Sequence, residues 1–290
     1  MGSESQPGTQ KGTRILVLSS HTRPDLSTPI NHQMYCLRHG YEYLFDATPY
    51  PVKTGFDQKL QSVISNLGRA DWLVWLDSDV YIMDQSIRLE KFLAVSGEVD
   101  FIFCNSPVNE KGQWTQLNSG VFFVRNTPRA HALMQEIFES DLETIRSWWD
   151  IPKFGMFTNG DQDKFVYTFA RQGLVGTGVK ILPYSEANSR IYEFTESGDQ
   201  FFICHFCGVD EKMDAIRKFR KRFDLDPYLL PNGKTQYPAS IRRSMFYVAP
   251  PESLAAMPAK WRKQFLGSLR RAKNKLRNKF RARWKESRLA

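Results

Sequence analysis

Asp77 and Asp79, with Ser78 between them, stand directly behind the apolar run Leu73-Val74-Trp75-Leu76. The run is rich in β-branched and aromatic residues, as in a strand buried on both faces of a sheet. Two carboxylates at the exit of such a strand can converge on one hard cation. Asp is short, so the ion would be held close to the backbone. Mg²⁺ or Mn²⁺ takes oxygen ligands and usually keeps room for substrate phosphates. The simplest reading is a metal-dependent enzyme acting on a diphosphate. Asp-x-Asp also occurs in loops and helix caps. The buried strand ahead of it favours the metal, because ligands gather at the carboxyl ends of strands in open α/β sheets.

Three more segments carry residue types fit for chemistry. Leu117-Asn118-Ser119-Gly120-Val121 enters an apolar stretch, Asn159-Gly160-Asp161-Gln162-Asp163 opens a helical pattern, and His205-Phe206-Cys207-Gly208 follows a late strand. Each has a bland reading. Asn118-Ser119-Gly120 is a turn, Asp161 is a helix N-cap, and His205 is a hydrogen-bonded core histidine. In this order the four segments resemble the GT-A nucleotide-sugar transferases. More closely, they resemble the retaining family of fungal α-galactosyl- and α-mannosyltransferases and plant xyloglucan xylosyltransferases, glycosyltransferase family 34. The resemblance covers roughly residues 13–210.

The resemblance implies a role for each segment. Asp77, Ser78 and Asp79 would meet the metal and the donor ribose or diphosphate, with Asp79 the firmer ligand and His205 the third. An oxygen and imidazole set suits Mn²⁺, or Mg²⁺, better than Ca²⁺. Gly208 would let the backbone approach the diphosphate. Asn118 would lie near the transferred sugar, with Gly120 a point of close approach. Asp161 and Gln162 would sit beside the anomeric carbon. The family usually shows two acidic residues before this Gln, and here Gly160 takes the first place. Lys59 would meet a donor phosphate or lie solvated on its helix. Ser19 and Ser20 would border the nucleotide. The implied reaction is transfer of a hexosyl or pentosyl unit, with retention, from a nucleoside diphosphate sugar to a glycan or glycolipid. A UDP-sugar leads as donor, galactose and xylose ahead of GDP-mannose.

The elements that must position these residues alternate. Strands are expected at 13–20, 41–45, 73–76, 101–104, 120–124, 179–182 and 201–204, and helices at 30–39, 57–67, 129–143, 161–171 and 212–222. Thr127 is the expected N-cap of the helix at 129–143, with Pro128 at its first position. This alternation implies an α/β fold, GT-A or Rossmann-like, with a mostly parallel mixed sheet flanked by helices. The expected organisation is a disordered tail at 1–12, a GT-A domain at 13–258 and a basic amphipathic helix at 259–290.

The net charge of +9 belongs to that last segment. Residues 260–290 hold 13 Lys and Arg against one Glu, which leaves −3 for residues 1–259. Trp261, Phe265, Leu269, Ala272, Leu276, Phe280 and Trp284 fall on one helical stripe. Such a helix suits an anionic membrane surface. A helix docked on the body and RNA binding are the other readings of it. The runner-up for the whole chain is a non-enzymatic nucleic-acid-binding protein acting through this helix, which the acidic body disfavours. The chain has no run of about 18 apolar residues and no apolar signal region, and Cys36, Cys104, Cys204 and Cys207 form no disulfide framework. The expected location is cytoplasmic, peripheral on the inner membrane face. Cys204-x-x-Cys207 is half a zinc site without a second half.

Overall fold

The computed structural model describes residues 12–20, 26–94 and 97–244. The basic helix expected at 259–290, the boundary at 258 and the tail at 1–12, except Gly12, lie outside them. In chain order the elements are β1 (Ile15–Ser19), α1 (Thr28–His39), β2 (Glu42–Phe45), α2 (Gly55–Asn66), β3 (Trp72–Leu76), β4 (Val80–Ile82), α3 (Glu90–Ala94) and β5 (Phe101–Cys104). β6 (Asn118–Arg125), α4 (Pro128–Glu139), α5 (Leu142–Trp148), α6 (Ile151–Phe154), α7 (Asp161–Arg171) and β7 (Val179–Leu182) follow. The last are α8 (Tyr184–Ala187), β8 (Ile203–His205), α9 (Lys212–Arg222) and α10 (Ala239–Ser244).

Six strands form one sheet in the order β2-β1-β3-β6-β5-β7. Only β6 runs against the others. Side chains alternate between its faces. Leu16, Leu18, Leu73, Trp75, Phe103 and Phe122 point to one side, onto Leu60 and Val63 of α2, Met134 of α4 and Phe165 of α7. Val17, Val74, Leu76, Ile102 and Phe123 point to the other, onto Tyr35 of α1 and Phe92 of α3. A sheet covered on both faces explains why its strands read as unbroken apolar runs. Because β6 is antiparallel, its first residues lie at the same sheet edge as the exit of β3, with Leu76 opposite Val121. That places Asn118-Ser119-Gly120 beside Asp77.

β4 and β8 make a separate antiparallel ribbon, with Val80 opposite His205. It has its own apolar cluster, including Tyr81, Cys204, Phe206, Ile216 and Phe219. A two-stranded ribbon is marginal alone, and α1 supports this one. Asn31 exchanges hydrogen bonds with the Ile82 backbone at 2.8 and 2.9 Å, and His32 Nε2 lies 2.8 Å from the Val80 carbonyl.

Two differences from the sequence reading have clear causes. β4 was not foreseen: three residues are too short for a pattern, and its partner lies over a hundred residues away. The helix expected at 129–143 is two, α4 and α5. Thr127 caps α4 as expected, its Oγ1 accepting from Ala130 N at 3.1 Å. Asp141 then caps a second start, accepting from Thr144 N at 2.8 Å. No helix among the described residues is long and apolar enough to cross a membrane.

Candidate active site

Asp77 leaves β3 tied to the large sheet. Its N–H donates to the Gly120 carbonyl at 2.8 Å. Its Oδ1 accepts from the Trp75 indole N–H at 2.7 Å and from Lys59 Nζ at 2.9 Å. The same ammonium reaches Asp161 Oδ2 at 2.9 Å and the Ser119 carbonyl at 3.0 Å. Three segments distant in sequence therefore meet on one buried cation. Lys59 is buried rather than solvated on its helix. Burial works against its charge, but the Asp161 and Asp77 carboxylates outweigh that and raise its pKa above the lysine range. Asp161 is 2% exposed. Burial pushes its carboxyl upward, Lys59 opposes the shift and Asp77 adds to it, and the net is upward.

Asp161 is not the N-cap of α7. That position is Gly160, and the carboxylate serving the helix start is Asp163. It accepts from Gly160 N at 3.1 Å and from Thr158 N at 3.0 Å. Asp161 is thereby left to Lys59. Gly160 leaves room for the exposed Phe56 ring, which would lie 3.1 Å from a Cβ built there.

Gln162, one residue on, joins the entrance of β6. Its Oε1 accepts from Asn118 Nδ2 at 3.1 Å and from Ser119 N at 3.3 Å, while Asn118 Oδ1 accepts from Gly120 N at 3.0 Å. The backbone donors fix both amides, so the Gln162 NH₂ is the end not used in this network.

Asp79 belongs to the ribbon. Its carbonyl accepts from Phe206 N at 3.0 Å. Its Oδ1 lies 3.3 Å from His205 Nε2, and its Oδ2 is paired with Lys212 at the start of α9. Burial would raise the Asp79 carboxyl, but His205 and then Lys212 pull it well below the usual carboxylate range. For His205, burial alone would lower the pKa; Cys207 and Asp79 overcome this and raise it to about 9. Gly120 makes room for that ring: a Cβ there would lie 2.1 Å from His205 Cε1.

Ligand atoms of Asp77, Asp79 and His205 lie within 4.8 Å of one another. Two hard carboxylates and one imidazole form a donor set that fits Mn²⁺ or Mg²⁺. Asp77 still has Oδ2 to offer, since Trp75 and Lys59 share Oδ1. Gly208, just beyond, has φ +67°, a left-handed conformation that favours glycine, and a Cβ there would meet nothing within 4 Å.

The remaining sequence candidates stand further out. Ser19, fully buried at the end of β1, turns its hydroxyl to Tyr43 OH at 2.7 Å. The Ser78 carbonyl accepts from Thr28 Oγ1 at 2.8 Å. Sequence reasoning missed Lys212, Asn188 and Arg190, which surround Asp79 and His205. No spacing rule links them to the Asp-x-Asp; only the fold brings them there.

A family model described as nucleotide-diphospho-sugar transferase matches residues 63–218. "Glycosyltransferase 6" of Arabidopsis thaliana is 26% identical over 145 residues, 42% of this chain and 32% of its own length. "Probable glycosyltransferase 7" of Oryza sativa subsp. indica is 28% identical over 131 residues, 40% of this chain and 29% of its own. The chain therefore spans about a third of the length of these curated relatives. Among solved structures, a glycosyltransferase involved in the glycosylation of the major capsid of PBCV-1 is 18% identical and matches 72% of this chain and 99% of its own, with a TM-score of 0.53. That last likeness is one of fold. With more than half of its residues under the family model, the chain belongs to the nucleotide-diphospho-sugar transferases and carries a glycosyltransferase domain of GT-A type.

Proposed function

We propose that this chain transfers a hexosyl or pentosyl unit from a nucleoside diphosphate sugar, with a UDP-sugar the leading donor, to a glycan or glycolipid, with retention of anomeric configuration. The observation that carries the reading is the meeting of Asp77, Asp79 and His205 beside the paired Lys59 and Asp161. When bound there, Mn²⁺ or Mg²⁺ would neutralise the charge that grows on the leaving diphosphate.

The chain's own residues supply the rest. Asp77, Asp79 and His205 would hold the ion. Lys59 pairs with Asp77 and Asp161 side by side, where two bare carboxylates would repel. Asp161 supplies the negative charge that favours an oxocarbenium-like sugar. Gln162, its oxygen held by Asn118 and Ser119, turns its NH₂ toward the donor sugar, and Gly208 admits the diphosphate close to the backbone. Retention rests on the family resemblance of the ordered motifs. The departing phosphate could take the acceptor proton.

We also propose that residues 259–290 bind an anionic membrane on its cytoplasmic side, close to a lipid-linked acceptor. The support is a local net charge of +12 with one stripe of Trp, Phe and Leu.

A panel of nucleotide sugars, assayed for Mn²⁺-dependent hydrolysis and then for transfer, tests the donor. NMR of the product's anomeric proton tests retention, and an inverted product refutes it. Full-length protein should sediment with anionic vesicles at low salt. Tight RNA binding without vesicle binding would favour the nucleic-acid reading of the tail instead.

A further inference from the structure

Behind His205 lies a buried polar cluster that the proposed chemistry leaves unused. Asn188 and Arg190 are 1% and 7% exposed, in the segment after α8. That segment is fastened to β8: His205 N donates to the Ser189 carbonyl at 2.8 Å, and Ser189 bridges Cys204 in parallel. Asn188 Oδ1 lies 2.8 Å from His205 Nδ1.

The orientation of the Asn188 amide is forced from two sides. Its NH₂ faces the Asn105 carbonyl at 3.1 Å, and its Oδ1 faces Arg190 Nη1 at 2.8 Å. Turned over, it would set oxygen against a carbonyl and NH₂ against a guanidinium, losing both bonds. Arg190 in turn is held by the Asn188 backbone carbonyl, 2.7 Å from the same Nη1. The oxygen at His205 Nδ1 is therefore a fixed acceptor, and an acceptor there demands a proton on Nδ1. When a cation takes the place of the Nε2 proton, the one ring proton left is this one on Nδ1, and the lone pair falls on Nε2. Nε2 is the nitrogen facing Asp79. Arg190 Nη1 lies 3.4 Å from Nδ1, a longer contact than its bonds to Asn188. The two Nη1 protons go to the Asn188 carbonyl and Oδ1, which leaves none to donate to Nδ1.

We infer that Asn188 is a positioning residue. It holds His205 in the Nδ1–H tautomer, with Nε2 presented to a divalent cation, and Arg190 locks the Asn188 amide for that task. This role rests on the metal reading of Asp77, Asp79 and His205. Partners behind a metal-binding histidine typically contribute tenfold to a hundredfold in metal affinity. A carboxylate is an equally good acceptor, so Asn188→Asp should keep the function while Asn188→Ala should lose it.

The test measures Mn²⁺ binding by calorimetry on the full chain and two variants, with circular dichroism as the check on folding. Wild type should bind, Asn188→Asp should bind within a few-fold of it, and Asn188→Ala should bind about tenfold to a hundredfold more weakly. Unchanged Mn²⁺ affinity in Asn188→Ala would overturn the role while leaving the metal site standing. Failure of wild type to bind Mn²⁺ would overturn both.

Discussion

Asp77 and Asp79 are separated by one residue yet belong to different parts of the molecule. Asp77 is an extension of the six-stranded sheet, fixed by Trp75, by the Gly120 backbone and by a lysine 7% exposed at its side chain. Asp79 belongs to the β4–β8 ribbon, fixed by His205 and by Lys212, whose side chain is 18% exposed. The sheet side holds its charges through a cation inside the fold, one that binds two carboxylates and a carbonyl. The ribbon side uses a cation at the start of a helix, with one carboxylate partner that also faces His205. One carboxylate is held by the sheet's charge network and the other by the ribbon's.

The largest expected effect is on turnover. Asp79→Ala removes a ligand and the charge beside it, and should lower donor hydrolysis about a thousandfold, a loss of about 4 kcal/mol of transition-state stabilisation. Unchanged turnover would break the assignment of the ribbon to the chemistry.

The next effect separates the two lysines. Lys59→Met leaves the buried Asp161 and the half-buried Asp77 without their cation and should cost about 3–5 kcal/mol of stability in denaturant unfolding. Lys212→Met leaves Asp79 its second partner, His205, and should cost less than Lys59→Met. Equal costs would erase the contrast between the two lysines. A smaller effect probes the seam between the regions. Gly120→Ala drives a methyl into the His205 ring and should cost about 1–3 kcal/mol, together with a measurable loss of Mn²⁺ affinity. Unaltered Mn²⁺ titration would show that the ring can move without consequence.

The smallest effect concerns pH and serves as a control on the sheet side. Asp46 is buried with neutral partners only, accepting from Ser62 Oγ, Tyr50 OH and Thr48 N. Burial raises its carboxyl, but these donors outweigh it and the net is downward. A lowered folded-state pKa contributes stability that is present above the unfolded value of about 3.9 and is lost as pH falls through the lower folded value. Asp46→Asn should therefore flatten the acid limb of the stability curve below about pH 4. An unchanged acid limb would assign that limb to other carboxylates.

The same division decides what was legible in the sequence. β3, β5, α7 and β7 stand in the structure within a residue of where their apolar patterns placed them, because each pattern is dictated by burial in or against the large sheet; α9 does so too, its Ile216 and Phe219 packing in the ribbon's cluster. β4 was invisible, since its support comes from Asn31 and His32 on α1. The Asp77, Asp79 and His205 cluster could be suspected from motif order, and its three-dimensional closeness is a structural finding. The burial of Lys59 is not legible, because nothing in the helix pattern says that a lysine at that position is buried. Asn188, Arg190 and Lys212 reach the site only through the ribbon, so no local pattern announces them.

Donor hydrolysis by the full chain, followed with the best nucleotide sugar in excess EDTA and again after Mn²⁺ is restored, tests the central claim most directly. The account predicts that hydrolysis is lost with the chelator and returns with the metal. Full turnover in EDTA would contradict a reaction built on Asp77, Asp79 and His205.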